Sequence, residues 1–330
     1  MNWKNLIKYV IFTGIGVALF SMAFSMVEDK DALWNDMRSA SWSAIGLSFL
    51  MGYLAIVSRG LRWEILLEPL GHKPNPFHSV HSVAFAYFAN TFVPRSGELA
   101  RCGALNQTDD IPVDQLFGTV ISERVVDLVL LMVLTMIGVF GNLEAFQGLV
   151  TDAQLPSFEQ WIPLVVLVVV IGLATVIFRD RLRQWSIVQK AVGFFKGVWS
   201  GLGSIRNMQR KGLFMLHTLF IWVMYFMMAW LIFKSISAVA EITVLQAIFI
   251  MVAGGFGMVM PAPGGIGAYH WAVMLGFGAL GYTQEIGFAV ANVIWMTQTT
   301  MVIVTGGIAY LALMWYGIKR DRASESLKKG

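Results

Sequence analysis

The sequence contains a single cysteine, Cys102, and few charged residues, which make up only 13% of the chain. One cysteine excludes an internal disulfide framework and any CxxC redox or metal site. About one quarter of the residues in soluble domains are charged, so the low fraction of charged residues argues against a soluble protein. The chain is also 57% hydrophobic. This composition predicts an all-α polytopic membrane protein with no room for a sizeable soluble domain.

The sequence also lacks the short motifs of common enzymes. It contains no G-x-S-x-G, no H-E-x-x-H, no Walker loop and no G-x-G-x-x-G after a strand pattern. His78 and His81 are three residues apart, but no second pair of ligands accompanies them. We therefore predict no catalytic residue, no metal and no cofactor. The net charge of +4 is modest and concentrated in a few segments, which argues against nucleic-acid binding.

Two breaks rich in proline and glycine interrupt apolar segments of the chain. The first lies in residues 88–105 and carries Arg95, Glu98 and Arg101; the second is the PAPGGIGAYHW stretch of residues 261–271. Backbone groups freed by such breaks must be satisfied by protein or line a wet cavity, because lipid offers them no partner. Two breaks in corresponding halves of a membrane protein indicate a transport site.

The charges between the apolar segments predict the topology. Residues 179–212 contain eight lysines and arginines against one acid, whereas residues 141–159 contain acids and no lysine or arginine. By the positive-inside rule, the first segment is cytoplasmic and the second is external. The chain is then a multi-pass protein of the cytoplasmic (inner) cell membrane, with both ends in the cytoplasm.

This topology divides the chain into two membrane repeats, residues 1–140 and 141–330. Each repeat is predicted to contain three spans and one broken hairpin, so that about eight membrane segments form an inverted repeat. The predicted spans are 4–27, 42–67, 116–140, 160–178, 213–233 and 286–317. The hairpin 77–115 re-enters on the cytoplasmic side. The hairpin 244–281 enters from outside, with two short full spans as an alternative.

The first break is predicted to bind a phosphate. Ser96 can cap a helix that starts at Gly97, which would aim free amides and the positive end of a helix dipole toward mid-membrane. Arg95 and Arg101 add formal charge beside it, a combination that suits a phosphate. The alternative is a simple hairpin tip in which Glu98 pairs with Arg101. Secondary candidates for this site are Arg59, Arg62 and Asn90.

Three charged residues in the span 116–140 form a second candidate group. Glu123, Arg124 and Asp127 are three or four residues apart, so one face of a helix can present all of them. Charges inside a membrane are functional candidates by default. The alternative is a structural ion pair near the cytoplasmic interface, where a span start is wet enough to tolerate charge.

The second break offers backbone amides without charge. Its candidate ligand-binding residues are Pro263, Gly264, Gly265 and Gly267, because consecutive glycines permit positive φ angles and a close approach of the backbone. His270 follows and either takes part in proton transfer or is a hydrogen-bonded helix residue. Asn292 and Gln298 of the last span either contact the same cavity or link helices.

Several stretches together carry a family resemblance. They are SRGLRWEILLEPLG, NTFVPRSGELARCGALNQ, ISERVVDLVLL and PAPGGIGAYHWAV, with a closing TGG at 305–307. In this order they resemble the membrane region of the lysylphosphatidylglycerol synthase/flippase family, which includes UPF0104-type membrane proteins. The resemblance implies about eight membrane segments that move lipids or lipid-linked molecules between leaflets. Bifunctional members have a cytosolic transferase domain that this sequence lacks, so synthase activity is not implied.

One position departs from the family pattern. The family often has Glu where this sequence has His270 after GGIGAY, so a coupling or selectivity role of that Glu is not carried over.

We therefore expect a transporter, not an enzyme, that moves an anionic or phosphate-containing lipid between leaflets. Membrane lipids are the expected partners, and the headgroup would bind between the two hairpins. The alternative is an intramembrane enzyme that uses Glu123 or Asp127 on a lipid phosphate ester, which the lack of a nucleophile and base pair disfavours. An ion-coupled transporter of small solutes is a third hypothesis.

Overall fold

The protein is helical throughout the part that the computed structural model describes, which is residues 14, 16–152 and 208–329. In those residues the backbone forms helices and turns and no strand. The helices are α1 (Gly16–Ser25), α2 (Lys30–Ser39), α3 (Trp42–Leu67), α4 (Pro76–Phe92), α5 (Gly97–Asp109), α6 (Val113–Gly141), α7 (Leu143–Asp152), α8 (Lys211–Ser235), α9 (Val244–Val259), α10 (Ala268–Ala279) and α11 (Gln284–Lys329). The predicted span 160–178, most of the basic segment 179–212 and the first half of the span 4–27 lie outside the described residues.

Within those residues, four helices are long and apolar enough to cross a membrane, namely α3, α6, α8 and the part of α11 up to Gly317. Their positions coincide with the predicted spans 42–67, 116–140, 213–233 and 286–317, except that α6 begins three residues earlier than predicted, at Val113. The prediction of an all-α polytopic membrane protein is therefore confirmed.

Polar residues at the helix starts explain why several of these helices begin where they do. Ser41 accepts a hydrogen bond from the amide of Ala44 at the start of α3. Thr243 and Gln246 form a reciprocal capping box at the start of α9. Such caps satisfy amides that have no partner within the helix, and each stabilises a helix end by about 1 kcal/mol.

Both predicted breaks are present as helical hairpins. The first hairpin consists of α4 and α5, joined by residues 93–96, and the second consists of α9 and α10, joined by residues 260–267. At 1.5 Å per residue, their arms are roughly 18 to 26 Å long, shorter than the hydrocarbon core of about 30 Å. One arm alone is therefore too short to cross the bilayer.

Two short helices lie in segments between the predicted spans. Residues 28–41 contain α2, which begins after Asp29, whose side chain accepts a hydrogen bond from the amide of Ala32. Residues 141–159 contain α7 in their described part. Both helices are short, with polar or charged residues along them, and neither is among the candidate spans.

The two halves pack against each other in a reciprocal way. Helix α3 lies along α8, α4 of the first hairpin packs on α11, and α9 of the second hairpin packs on α6. The close approach of α3 to α4 depends on Gly60, where an added Cβ would lie 2.6 Å from the Cα of Val80. This pairing agrees with a two-fold relation between the halves. Their opposite orientation in the membrane stays a prediction.

Candidate functional site

Five buried charged side chains meet where α3, α5 and α6 come together. We call them the arginine cluster, and its members are Arg59, Arg62, Arg101, Glu123 and Asp127. Each of the five residues is at most 7% exposed. Charged groups at such depth are rare in membrane proteins and mark functional sites by default.

Asp127 links both arginines of α3 to α6. Arg62 donates hydrogen bonds from Nη1 and Nη2 to the two carboxylate oxygens, at 2.8 and 3.2 Å, and Arg59 Nη2 donates at 3.1 Å. Arg62 also donates to Thr218 Oγ1 of α8 at 3.1 Å. Two-pronged contacts of this kind fix the guanidinium plane and are among the stronger hydrogen bonds in proteins.

Glu123 joins the first hairpin to the same group. Arg101 of α5 donates to Glu123 Oε2 at 2.5 Å, and Arg62 Nε lies 3.5 Å from Oε1. The guanidinium of Arg101 stacks over Trp63, with its Cζ 4.6 Å from the ring centroid. The predicted alternative of a Glu98–Arg101 pair is therefore wrong, because Arg101 turns inward to Glu123.

The cluster lies near the middle of α6. Because α6 begins at Val113, Asp127 lies about 21 Å along a helix of about 43 Å, at 1.5 Å per residue. The charges are therefore not in the first turns of this helix. Their depth in the membrane, and with it the choice between a functional group and a structural ion pair near the interface, stays a prediction.

The cluster contains more donors than it can satisfy internally. Among the described residues, three arginines but only two carboxylates are buried ionised groups. Arg59 Nε and Nη1 and Arg101 Nε have no hydrogen-bond partner within that part of the chain, whereas Arg62 Nε and Glu123 Oε1, also without a hydrogen bond, face each other as an ion pair at 3.5 Å. Buried polar atoms are normally hydrogen-bonded, so unsatisfied donors require an explanation. An anion that accepts from them would supply it.

A small cavity lies against these donors. It is lined by Arg59 and Arg101 of the cluster, by Asn90 and Gly97 of the first hairpin, and by Arg124 at its rim. Its volume of about 20 Å³ holds about one water molecule. The conformation described here is therefore closed to anything larger.

The start of α5 is capped differently from the prediction. The helix does begin at Gly97, but the Ser96 side chain donates to the carbonyl of Val93 at 2.8 Å and does not cap it. Asn90 of α4 accepts from the Gly97 amide at 2.7 Å instead. The hairpin fold brings Asn90 to this position, and Gly97 leaves space for it, since an added Cβ would lie 2.6 Å from Asn90 Nδ2.

Two predicted arginines, Arg95 and Arg124, lie outside the cluster. Arg95 is exposed and donates from Nη2 to the carbonyl of Val259 in the second hairpin at 3.0 Å, so it is not beside Arg101. Arg124 points to the surface, with 46% of its side chain exposed, although Glu98 lies 3.8 Å away and Asp127 lies 3.9 Å away. The expectation that Arg124 shares the inward face of Glu123 and Asp127 is therefore corrected.

The second break forms a separate site without charge. Gly264, Gly265 and Gly267 all have positive φ angles, of 57°, 71° and 77°. Pro263 opens the short 3-10 turn that contains the first two. Trp295 of α11 fixes this turn by donating from Nε1 to the carbonyl of Gly264 at 2.8 Å.

His270 belongs to this second site and is fully buried. Its Nδ1 accepts a weak hydrogen bond from the Gly267 amide at 3.3 Å, and its ring lies 5.1 to 5.7 Å from the rings of Phe20, Trp295 and Phe288. Asn292 lies beside the imidazole and donates to the carbonyl of Phe288 at 2.8 Å. Gln298, further along α11, is half-buried. This surrounding fits a packed helix residue better than an exposed proton carrier.

The residues that contribute most to the arginine cluster are ones that the sequence pattern marks only weakly. Arg59 and Arg62 were only secondary candidates, yet they hold Asp127, and Tyr225 and Thr218 of α8 were not singled out. Arg59 lies between Tyr87 and Tyr225, 5.9 Å from each ring centroid. The available signal was two arginines three residues apart inside an apolar span, which only a polar interior can accommodate.

Comparisons with known proteins show the family to which the chain belongs. The profile of the lysylphosphatidylglycerol synthase TM region matches residues 6–307, which include every residue of the arginine cluster. A UPF0104 membrane protein of Methanocaldococcus jannaschii is 23% identical over 318 residues, which cover 89% of this chain and 92% of that protein. Since the match extends over nearly all the described helices and both hairpins, the chain belongs to the family of lysylphosphatidylglycerol synthase transmembrane regions.

Proposed function

We propose that this protein moves an anionic, phosphate-bearing lipid between the leaflets of the cytoplasmic membrane, with both chain ends in the cytoplasm. The observation that carries the proposal is the excess of buried guanidinium donors beside a cavity at the first hairpin. Arg59, Arg62 and Arg101 outnumber their buried carboxylate partners in the described residues, and several of their N–H groups are unbonded.

A phosphate headgroup fits these donors chemically. Guanidinium groups bind phosphate oxygens through parallel hydrogen bonds and stay charged under all conditions. Arg59 has two N–H-bearing atoms without a partner in the described residues, Nε and Nη1, while its Nη2 donates to Asp127. These two lie on different edges of the guanidinium plane, so each could donate to a separate phosphate oxygen or water. The family takes its name from lysylphosphatidylglycerol, a phosphate-bearing lipid, which supports the same class of substrate.

Transport requires that this cavity open. At about 20 Å³ it accepts about one water molecule and no headgroup. A relative movement of α5 and its hairpin against α3 and α6 would widen it, since these elements supply the lining residues. Alternating access in transporters of this plan proceeds by movement of one unit against the other.

Transport also suits the two carboxylates better than catalysis does. Glu123 and Asp127 are both engaged by arginines, so neither is a free base beside the cavity. A general base must be able to reach and accept the proton of its substrate. We therefore propose a transporter and not an enzyme.

The test uses Arg59, because its loss leaves Asp127 still paired with Arg62. We expect Arg59→Gln to reduce the movement of a fluorescent anionic phospholipid in proteoliposomes roughly tenfold or more, as expected for a lost charge-assisted hydrogen bond. Movement of a zwitterionic lipid with the same acyl chains measures headgroup selectivity. Arg38→Gln, which changes an exposed arginine of α2, is the matched control and should have no effect.

Two outcomes would contradict the proposal. One is an equal transport rate for the wild type, Arg59→Gln and Arg38→Gln. The other is recovery of a chemically altered lipid by mass spectrometry, since transport leaves the lipid unchanged and an enzyme does not.

A further inference from the structure

The cavity beside the arginine cluster has a rim that differs from its interior. Side chains of the cluster are at most 10% exposed, whereas those of Arg124 and Glu98 are 46% and 33% exposed. Both lie on the seam between α5 and α6. The rim is also loosely bonded, because Arg124 is 3.8 Å from Glu98 and 3.9 Å from Asp127, at the outer limit of an ion pair.

The surface around this rim is apolar. Leu99 on α5, and Val125 and Leu128 on α6, are 61%, 48% and 55% exposed. Helix α6 is also the least covered of the candidate spans in the described residues, with 11% of its apolar stretch buried against 33–44% for the others. An exposed apolar surface on a candidate span is expected to face lipid chains.

Arg124 is a charged residue on this apolar surface, which is unusual. Arg124 lies about 16 Å along α6 at 1.5 Å per residue, well inside the apolar part of the helix. Charged residues at a helix centre are unfavourable by about 2.5 to 3.5 kcal/mol on insertion scales, and those retained usually mark a pathway or a ligand.

We propose that the seam between α5 and α6 is a side opening through which a lipid-borne phosphate passes from the bilayer to the arginine cluster, with Arg124 as its first contact. This inference rests on the proposed function and adds the route and the form of the substrate. The headgroup would replace Glu98 as the partner of Arg124, which exchanges one anion for another. The acyl chains would meanwhile remain against Leu99 and Leu128.

The same phosphate chemistry could come from a free phosphate in water, and the route separates the two sources. A soluble anion would need an aqueous path, whereas the side chains flanking Arg124 and Glu98 on this seam are apolar. An esterified phosphate reaches this seam from the side, with its acyl chains still in the bilayer.

The experiment is photo-crosslinking in vesicles of phosphatidylglycerol and phosphatidylcholine. A photoreactive amino acid is placed at Leu128, beside the opening, or at Leu311 of α11, which is 66% exposed on another apolar surface. We expect adducts at 128 to be enriched in phosphatidylglycerol relative to its share of the vesicle, and adducts at 311 to follow that share. Arg124→Gln should remove the enrichment at 128, and Arg124→Lys should retain part of it.

Several results would overturn the side opening. Equal adduct composition at 128 and 311, or enrichment that survives Arg124→Gln, shows that Arg124 selects no headgroup there. Loss of the enrichment on addition of excess inorganic phosphate, together with accumulation of phosphate inside the vesicles, identifies a soluble substrate instead.

The transport measurement distinguishes failure of this inference from failure of the proposed function. Anionic lipid movement that depends on Arg59, without enrichment at 128, retains the transporter and rejects the opening. Enrichment at 128 without any lipid movement rejects the transporter.

Discussion

The two helical hairpins have the same plan, but they are filled differently. The first, α4 and α5, places Arg101 against Glu123 and lines the cavity with Asn90, Gly97 and Glu98. The second, α9 and α10, buries His270 among aromatic rings and contributes no buried carboxylate or arginine from its described residues. One hairpin therefore brings charge into the membrane, and the other brings close packing.

The two breaks are also stabilised by different parts of the chain. In the first, side chains satisfy the turn, with Asn90 accepting from Gly97 and Ser96 donating to Val93. In the second, a backbone bond from the Gly265 amide to Ala262 at 3.0 Å is joined by the Trp295 side chain, which donates to the Gly264 carbonyl. The second turn has three glycines at positive φ angles and the first has none, so glycine geometry is required only in the second.

The hairpins meet at their tips. Arg95 donates to the carbonyl of Val259 at the end of α9, and α4 packs beside the turn Pro263–Gly265. Thr91 is the nearest neighbour of Gly264, with its Cγ2 3.7 Å from where a Cβ would be. The hairpin region therefore has three distinct features. They are the buried charges of the first hairpin, the close packing of the second and the contact between their tips. Each can be broken independently.

The largest loss of stability is expected when the buried ion pair between Arg101 of the first hairpin and Glu123 is broken. Glu123→Leu leaves Arg101 buried without its partner, and removal of one member of a buried pair lowers the free energy of unfolding by about 3–5 kcal/mol. His270→Leu in the second hairpin ends one weak hydrogen bond, so its loss should be smaller, on the order of 1 kcal/mol. Thermal unfolding in detergent measures both.

For the same reason Arg101→Ala is expected to destabilise the fold, so a loss of transport in this variant would not by itself identify Arg101 as a headgroup ligand.

The double variant Arg101→Met/Glu123→Leu tests the cause. If the uncompensated charge is responsible, the double variant should be more stable than the sum of the single losses by at least about 1 kcal/mol. Additive losses would mean that packing volume, and not charge, distinguishes this hairpin.

Much of the fold could be predicted from the sequence because its signals are local. The helix Trp42–Leu67 coincides with the predicted segment 42–67, which is a continuous apolar run, and both hairpins were predicted from their proline and glycine residues. The site could be predicted only in part. Glu98 and Arg101 are close in sequence, yet Arg101 pairs with Glu123, 22 residues away, and Arg62 reaches Thr218, 156 residues away. Such partners depend on helix packing, which no local pattern contains.

A second, intermediate effect is expected from glycine substitutions in the second hairpin. Gly267 and Gly264 both have positive φ angles, which disfavour any L side chain by about 1–2 kcal/mol. A Cβ at Gly267 would also lie 2.5 Å from the amide nitrogen of Phe20 and 2.8 Å from Leu19 Cβ, whereas at Gly264 the nearest atom is 3.7 Å away. We therefore expect Gly267→Ala to lower the melting temperature more than Gly264→Ala. Equal losses in the two variants would show that the φ angle alone, and not packing against α1, sets the cost.

The smallest effect on stability is expected at the contact between the hairpins. Arg95 is exposed and has a φ angle of 62°, which is unusual for a residue other than glycine. Arg95→Ala loses the bond to Val259 but keeps the backbone strain, whereas Arg95→Gly loses the bond and relieves the strain by about 1 kcal/mol. Arg95→Gly should therefore be the more stable of the two by that amount in detergent melts.

If the bond between Arg95 and Val259 keeps the hairpin tips together, both variants should change the rate of lipid movement equally while leaving the preference for anionic lipid intact. A changed preference would return Arg95 to the headgroup site, and an unchanged rate in both would mean that the tips meet without controlling transport.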